Sequence, residues 1–202
     1  MTASLVHPQP AAAGRHPTDP LRVVPPLRLV PEPEGLLQIH TAPFRGSFAT
    51  VFSQALRSAG LGSRVLVSQF LRGGVAQGPA GMLSLCGRLQ WLRPDLPLCL
   101  DGPVAAPPAA ADGAAGAGGA DPLEAVAAVW AFSRERLLGG DVDLMVLDEL
   151  GLAVELGYVA AQDVIETLER RPAHLDVILT GPAMPPALMA MADQVTELRR
   201  GA

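Results

Sequence analysis

The sequence predicts an α/β fold with a mainly parallel sheet that helices cover on both faces. Three runs of β-prone apolar residues carry this prediction, at 64–71, 142–150 and 175–181. Continuous apolar runs of this length are typical of strands with both faces buried. Stretches with helical periodicity separate them, and strands that alternate with helices indicate a layered α/β domain.

The first half of the chain begins with a strand–helix–strand pattern. A short apolar strand at 36–42 (LLQIHTA) leads into a turn, and residues 48–60 then place apolar side chains at helical spacing. Gly60 ends this stretch and suits a left-handed helix cap. The strand at 64–71 completes the unit, so we expect the two strands to pair in parallel through a right-handed crossover.

The pattern of alternating strands and helices is weaker in the middle and at the start of the chain. MLSLCG (82–87) is interpreted as a helical turn, and RLQWLR (88–93) as a strand. Residues 102–120 are almost all Ala, Gly and Pro, which predicts a flexible insertion. Residues 1–34 hold eight prolines and predict a disordered Pro-rich arm. The expected organisation is therefore that arm followed by a single domain over 35–200.

In the second half of the chain, predicted strands and helices alternate more regularly. Asp121 is a predicted N-cap, Pro122 suits the first helical position, and Gly139–Gly140 ends the amphipathic helix that follows. Further elements are expected in this order: a strand at 142–150, a helix at 161–170, a strand at 175–181, a short helix at 185–192 and a strand at 194–199.

Composition excludes several classes of protein. The chain has 202 residues, 49% of them hydrophobic, and no apolar run approaches the roughly 18–20 residues that a membrane span needs. A net charge of −5 argues against general nucleic-acid binding. The start of the chain lacks the pattern of a secretory signal, and two widely spaced cysteines fit a reducing cytoplasm. All 15 basic residues are arginines, so no side chain supplies an ammonium group.

Two carboxylates, Asp148 and Glu149, follow the apolar strand at 142–150. The carboxyl edge of an open α/β sheet is where such folds place their ligands. In a P-loop nucleotide-binding protein, an Asp at this position helps to hold Mg²⁺. The alternative is an ordinary acidic pair that begins a solvated loop.

A phosphate-binding loop would have to lie between the first strand and the first helix. The turn there reads APFRGSF (42–48), at the right place and length, but most of the chemistry of a P-loop is missing. Ser47 stands at the lysine position and Phe48 at the Mg²⁺-binding hydroxyl. Only Arg45 and Gly46 suit phosphate, and an ordinary strand–helix turn is the competing interpretation.

Several segments in order resemble the ATP:corrinoid adenosyltransferase family, whose substrates are cob(I)yrinic acid a,c-diamide or cob(I)alamin. They cover about 36–199 and read LLQIHT, ALRSAGLG, VLVSQFLRG, WAFSRERLL, DLMVLDEL, DVIETLERRPAH, VILTG and ADQVTELR. The resemblance implies a RecA-like P-loop fold, usually a homodimer. It also implies transfer of the 5′-deoxyadenosyl group of ATP to a Co(I) corrinoid, with Mg²⁺ present, in cobalamin biosynthesis.

By the same resemblance, Thr41, Arg45, Gly46 and Ser47 would bind nucleotide, Asp148 would hold the metal, and Glu149 would be catalytic. The family loop resembles TGNGKGKTT, and only its threonine and one glycine are matched here, with arginine in place of the first lysine. Two functions therefore stay open. One is an adenosyltransferase with weakened or lost catalysis. The other is a non-catalytic binding or regulatory relative, as a homodimer or paired with a related chain.

Overall fold

A computed structural model describes residues 34–46, 48–104 and 121–199. All but the last residue of the predicted arm at 1–34, most of the predicted insertion at 102–120, and Ser47 lie outside the described residues. The strands are β1 (Leu37–Thr41), β2 (Val65–Gln69), β3 (Leu83–Leu85), β4 (Leu89–Leu92), β5 (Leu144–Asp148), β6 (Asp176–Gly181) and β7 (Gln194–Glu197). The helices are α1 (Ala49–Gly60), α2 (Pro122–Gly139), α3 (Leu150–Glu155), α4 (Ala161–Glu169) and α5 (Pro186–Met191).

The strands form one seven-stranded sheet in the order β3-β4-β2-β5-β6-β1-β7. Every pairing is parallel except that of β3 with β4. The expectation that β1 and β2 pair directly was wrong, because β5 and β6 lie between them. This order brings the ends of β2 and β6 to either side of the end of β5, where the two carboxylates lie.

Helices cover both faces of the sheet, which confirms the predicted α/β architecture. On one face α2, α3, α4 and α5 bury residues such as Val126, Trp130 and Leu168 against the central strands. On the other, α1 buries Val51 and Ala55 against β2, β5 and β6. Strands β2 and β5 have every residue buried, as expected of strands that begin with apolar runs, and their polar residues Ser68, Gln69 and Asp148 lie at the carboxyl ends.

Helix α2 ends as its sequence predicts. The Asp121 side chain accepts a hydrogen bond from the backbone N–H of Leu123 at 3.1 Å, and Gly140 closes the helix in the left-handed conformation at φ 64°. A cap of this kind contributes about 1 kcal/mol. The prediction for α1 was wrong in detail: Gly60 is still helical, Leu61 is the C-cap, and Gly62 is the residue with positive φ.

Two elements differ from the sequence prediction. The segment 82–87 contains strand β3 rather than a helical turn, and it forms a hairpin with β4. Cys86 and Gly87 occupy the tip with φ of 45° and 66°, the pattern of a type I′ turn. Helix α3 was not predicted: β5 stops at Asp148, and the helix starts at once with the buried Leu150. No described helix is long and apolar enough to cross a membrane.

Gly151 provides a test of how tightly α3 packs against the loop after β6. A Cβ at this position would overlap the Ala183 carbonyl oxygen and lie 2.9 Å from Met184 Sδ. We expect Gly151→Ala to lower the free energy of unfolding by about 1–3 kcal/mol, because the added methyl group overpacks the contact. Urea denaturation measures this.

The matched control is Gly60→Ala, where a Cβ meets nothing within 4 Å. Here alanine should stabilise the protein by about 0.5–1 kcal/mol, since Gly60 lies in a helix. Equal effects of the two substitutions would contradict the close contact at Gly151.

Candidate active site

The candidate site lies at the carboxyl edge of the sheet, where β1, β2, β5 and β6 end. Asp148 is the last residue of β5 and Glu149 follows it as the N-cap of α3. Glu149 has φ 60°, a left-handed conformation that is uncommon for a residue with a side chain. Its backbone N–H donates to Thr180 Oγ1 at 3.3 Å, which ties this bend to β6.

Glu149 forms a bidentate ion pair with Arg45 from the turn after β1. Arg45 Nε donates to Glu149 Oε1 at 2.7 Å, and Arg45 Nη2 donates to Oε2 at 2.9 Å. The carboxylate side chain is only 1% exposed, and the arginine side chain 26%. Hydrogen bonding to Glu149 raises the pKa of Arg45. Two parallel charge-assisted bonds make this a strong and geometrically specific pair.

The remaining donors of Arg45 are also occupied. Nη1 donates to the Leu100 carbonyl oxygen at 2.8 Å and to the Asp101 carboxylate, and Nη2 reaches the Leu71 carbonyl oxygen at 3.4 Å. A guanidinium group has five N–H donors, and all five have acceptors here. Arg45 therefore joins the turn after β1 to the segments after β2 and before α2. It has no donor left for a phosphate.

Asp148 is buried and held by neutral donors on both sides. Gln69 Nε2 donates to Asp148 Oδ2 at 2.7 Å, and Thr180 Oγ1 donates to Oδ1 at 2.5 Å. Trp91 Nε1 in turn donates to Gln69 Oε1 at 2.9 Å, so the amide is fixed in orientation. Burial raises the pKa of Asp148, and the two hydrogen bonds only partly oppose this. Burial thus disfavours the ionised form of Asp148 relative to that of a free aspartate.

The other residues predicted for the site are Thr41, Gly46 and Ser47. Thr41 ends β1 beside Gly181 and is half-buried. Gly46 lies at the surface of the site, and Ser47 is outside the described residues. Phe48, at the position of the metal-binding hydroxyl, is 2% exposed and belongs to the core beneath α1. Its side chain therefore gives the core an aromatic ring and the site no oxygen.

A cavity of about 390 Å³ opens beside Arg45. Its other lining residues are Gly46, Arg72, Cys99 and Asp101. Arg72 Nε lies 3.6 Å from Glu149 Oε2, on the opposite side from Arg45. The volume is in the range of small-molecule sites.

Sequence reasoning missed four residues of this edge: Gln69, Arg72, Asp101 and Thr180. Three of them could have been found, since they end or closely follow β2 and β6, and the carboxyl ends of parallel strands meet at one edge. Asp101 follows no strand and carries no such signal.

The carboxylate oxygens that could hold a divalent metal already have partners in this site. Mg²⁺ prefers carboxylate, hydroxyl and phosphate oxygens. Each Asp148 oxygen already accepts a hydrogen bond, and both Glu149 oxygens pair with Arg45. Within the described ranges there is no group of three or more His, Cys, Asp and Glu side chains that could hold a metal ion. The described residues therefore do not fit a magnesium site by themselves, since Arg45 occupies both Glu149 oxygens and Mg²⁺ would need further oxygens from a bound phosphate.

Comparison with known proteins identifies related sequences. Residues 33–201 match the family model described as ATP:corrinoid adenosyltransferase BtuR/CobO/CobP. The corrinoid adenosyltransferase CobA of Salmonella typhimurium is 30% identical over 180 residues, which cover 83% of this chain and 78% of the relative. The corrinoid adenosyltransferase of Pseudomonas aeruginosa is 27% identical, with 81% and 74% covered. That of Escherichia coli K12 is 26% identical, with 82% and 76% covered.

The Arg45–Glu149 pair can be tested by a double-mutant cycle. Replacing Arg45 alone (Arg45→Met) should lower the free energy of unfolding by about 3–5 kcal/mol, because it leaves a buried carboxylate without its cation. In Arg45→Met/Glu149→Gln the cost should fall short of the sum of the two single changes by about 1–3 kcal/mol. Urea denaturation of the four proteins gives the coupling energy.

Arg199→Met serves as the control, because Arg199 pairs with Glu197 at an exposed position. That substitution should leave the denaturation midpoint unchanged. Additive effects at Arg45 and Glu149 would show that the pair does not hold the site together.

The buried Asp148 predicts an unusual dependence of stability on pH. Its folded-state pKa is raised, so above its ordinary value of 3.8 the unfolded chain ionises more readily than the folded one. The wild type should therefore lose stability relative to Asp148→Asn as the pH rises from about 3.8 through the folded-state pKa. Denaturation of both proteins at pH 4–7 measures the difference.

Asp143 should show the opposite dependence of stability on pH. Hydrogen bonds from Arg64 lower the pKa of Asp143 below its ordinary 3.8, so its stabilisation is lost as the pH falls through the lowered value. A wild-type advantage over Asp143→Asn should shrink in acid. A pH-independent difference between wild type and Asp148→Asn would refute the buried-carboxyl assignment.

Proposed function

This chain belongs to the ATP:corrinoid adenosyltransferase family, and we propose that its own ATP-dependent adenosyl transfer is weakened or lost. The single observation that carries the proposal is the saturation of Arg45 by Glu149 and three further acceptors. The residue expected to bind nucleotide and the residue expected to be catalytic bind each other. Neither is available to a substrate while the pair is intact.

The energetics of nucleotide binding support the proposal. Each charge-assisted hydrogen bond contributes about 1.5–3 kcal/mol, and the turn lacks both the lysine and the hydroxyl that would make such contacts to a magnesium triphosphate. The chain contains no lysine that could take over this role. Arg45 could compensate only by leaving Glu149, which would leave a buried carboxylate unpaired.

ATP and Mg²⁺ are therefore proposed as inherited ligands whose affinity has fallen. The family chemistry, when it occurs, needs triphosphate charge to be neutralised by a metal and an ammonium group. In this chain Asp148, the expected metal ligand, is held by Gln69 and Thr180 instead. A corrinoid is the proposed second substrate on the family assignment alone.

The second candidate is a non-catalytic binding or regulatory relative that no longer binds ATP tightly. The same ion pair favours it, because a fold stabilised by Arg45–Glu149 does not need nucleotide to complete its site. Such a chain would act as a homodimer or as a partner of a related chain, and a cytoplasmic location is proposed for either function. Both cysteines are free among the described residues, which is consistent with a reducing compartment.

The proposed function is tested by comparing this protein with the Salmonella relative under one set of conditions. Purified protein is mixed with ATP, Mg²⁺ and a chemically reduced corrinoid, and adenosylated product is measured by chromatography. Loss of two charge-assisted contacts predicts a rate lower by about 10²–10⁴-fold. A rate within tenfold of the relative's would overturn the proposal.

Calorimetry then separates the two candidates. A dissociation constant for ATP below about 100 μM, together with slow transfer, identifies a weakened enzyme. No detectable heat of ATP binding, together with no product above background, identifies the non-catalytic relative. Glu149→Gln is informative in both assays, because it releases Arg45 from a charged partner without removing the side chain's bulk.

A further inference from the structure

We propose that residues 96–104 form an autoinhibitory strap across the carboxyl edge of the sheet, and that a phosphate-bearing ligand reaches the site only after the strap has left Arg45. The strap reads LPLCLDGPV, follows β4 and lies within the residues that the structure describes. The inference rests on the proposed function, since it names a contact that regulates the same site. It concerns a change of conformation and includes no chemical step.

The start of the strap packs closely against the segment after β2. Gly74 donates its backbone N–H to the Leu96 carbonyl oxygen at 2.8 Å, and Leu96 is 5% exposed. A Cβ on Gly73 would overlap the Leu98 carbonyl oxygen, so this close approach depends on glycine. Residues 96–98 therefore form the fixed end of the strap.

The rest of the strap, residues 100–104, is held largely by hydrogen bonds, including two to the segment after α3. Val104 donates its backbone N–H to the Leu156 carbonyl oxygen at 2.9 Å, and the Tyr158 hydroxyl donates to the Gly102 carbonyl oxygen at 3.2 Å. Water replaces such bonds when a segment detaches, so each contributes only modestly to the closed state. This part of the strap is therefore the part that can leave.

Arg45 is the contact through which the strap closes the site. Leu100 donates its backbone N–H to the Leu71 carbonyl oxygen at 2.9 Å, and its own carbonyl oxygen accepts from Arg45 Nη1 at 2.8 Å. The Asp101 carboxylate accepts from the same nitrogen, while Nε and Nη2 bind Glu149. Arg45 is thus held between the strap and Glu149.

This arrangement makes closure of the strap and ligand binding compete. A phosphate group at Arg45 would need the Nη1 donor that Leu100 and Asp101 occupy. Two states that exclude each other are coupled, so whatever weakens the strap must strengthen binding by the same factor. An ordinary surface loop would show no such coupling.

The test uses the full-length protein, with inorganic triphosphate as the probe. Tyr158→Phe removes the hydroxyl that holds Gly102 without changing any charge, and Asp101→Asn weakens the contact with Arg45. Calorimetry should show triphosphate binding about threefold tighter in Tyr158→Phe and about tenfold tighter in the double variant. Asp95→Asn is the charge control, because it removes one negative charge from an exposed position just before the strap. It should change the affinity by less than about twofold.

Hydrogen exchange measured by mass spectrometry reports the opening of the strap directly. The backbone amides of Leu100 and Val104 are hydrogen-bonded in the closed state. Their exchange in Tyr158→Phe and in the double variant should speed up by the same factor as the affinity rises, because both quantities follow the open population. Saturating triphosphate should speed the same amides in the wild type. Exchange in β5 should not change.

Unchanged triphosphate affinity in both variants would overturn the inference. Faster exchange without tighter binding would also overturn it, since the strap would then be an ordinary loop. So would the absence of triphosphate binding by every one of these proteins, because opening the strap would uncover no site. The result is separable from the transfer assay. Linked changes in exchange and affinity, found with transfer as fast as that of the Salmonella relative, would remove the proposed function only. Slow transfer without the linkage would remove this inference only.

Discussion

The ion pair between Arg45 and Glu149 is the interaction on which the carboxyl edge of the sheet depends. A buried carboxylate is costly unless a cation and hydrogen bonds satisfy it, and Glu149 is 1% exposed. Arg45 meets this need from a residue 104 positions earlier in the chain. The same guanidinium binds carbonyl oxygens of Leu71 and Leu100, so one side chain links the turn after β1 to the segments after β2 and before α2.

The strand order explains why the two neighbouring carboxylates have different environments. Because β5 lies between β2 and β6, Asp148 is flanked by Gln69 and Thr180 and is held by neutral donors. Glu149, one residue later, takes a left-handed conformation and leaves the sheet. It therefore points to the charged side of the edge, where Arg45 and Arg72 lie. Burial raises the pKa of the first carboxyl group, and the second forms an ion pair.

The sequence predicts the layers of this fold better than it predicts the site. Apolar runs mark β2, β5 and β6 because burial on both faces requires them, and Asp121 with Gly140 marks the ends of α2. Local sequence patterns do not give the order of the strands in the sheet, which is why the predicted pairing of β1 with β2 was wrong. The weakly apolar β3 and the short α3 depend on tertiary contacts. The partnership of Arg45 with Glu149 is equally invisible, since each was interpreted as a ligand-binding residue of its own motif.

The residues that stabilise the fold are thus largely different from those at the candidate site. This chain can therefore keep the fold of its family while the chemistry at the site changes. The core beneath α1 is stabilised by burial of residues such as Phe48 and Val51, whatever ligand lies above it. Phe48 even adds apolar surface at a position where a hydroxyl would serve a metal. An aromatic ring in place of a hydroxyl there adds to the core, whereas an unpaired Glu149 would cost the fold several kcal/mol. Family membership rests on the match over residues 33–201, whereas the proposed loss of activity rests on the partner that Glu149 has.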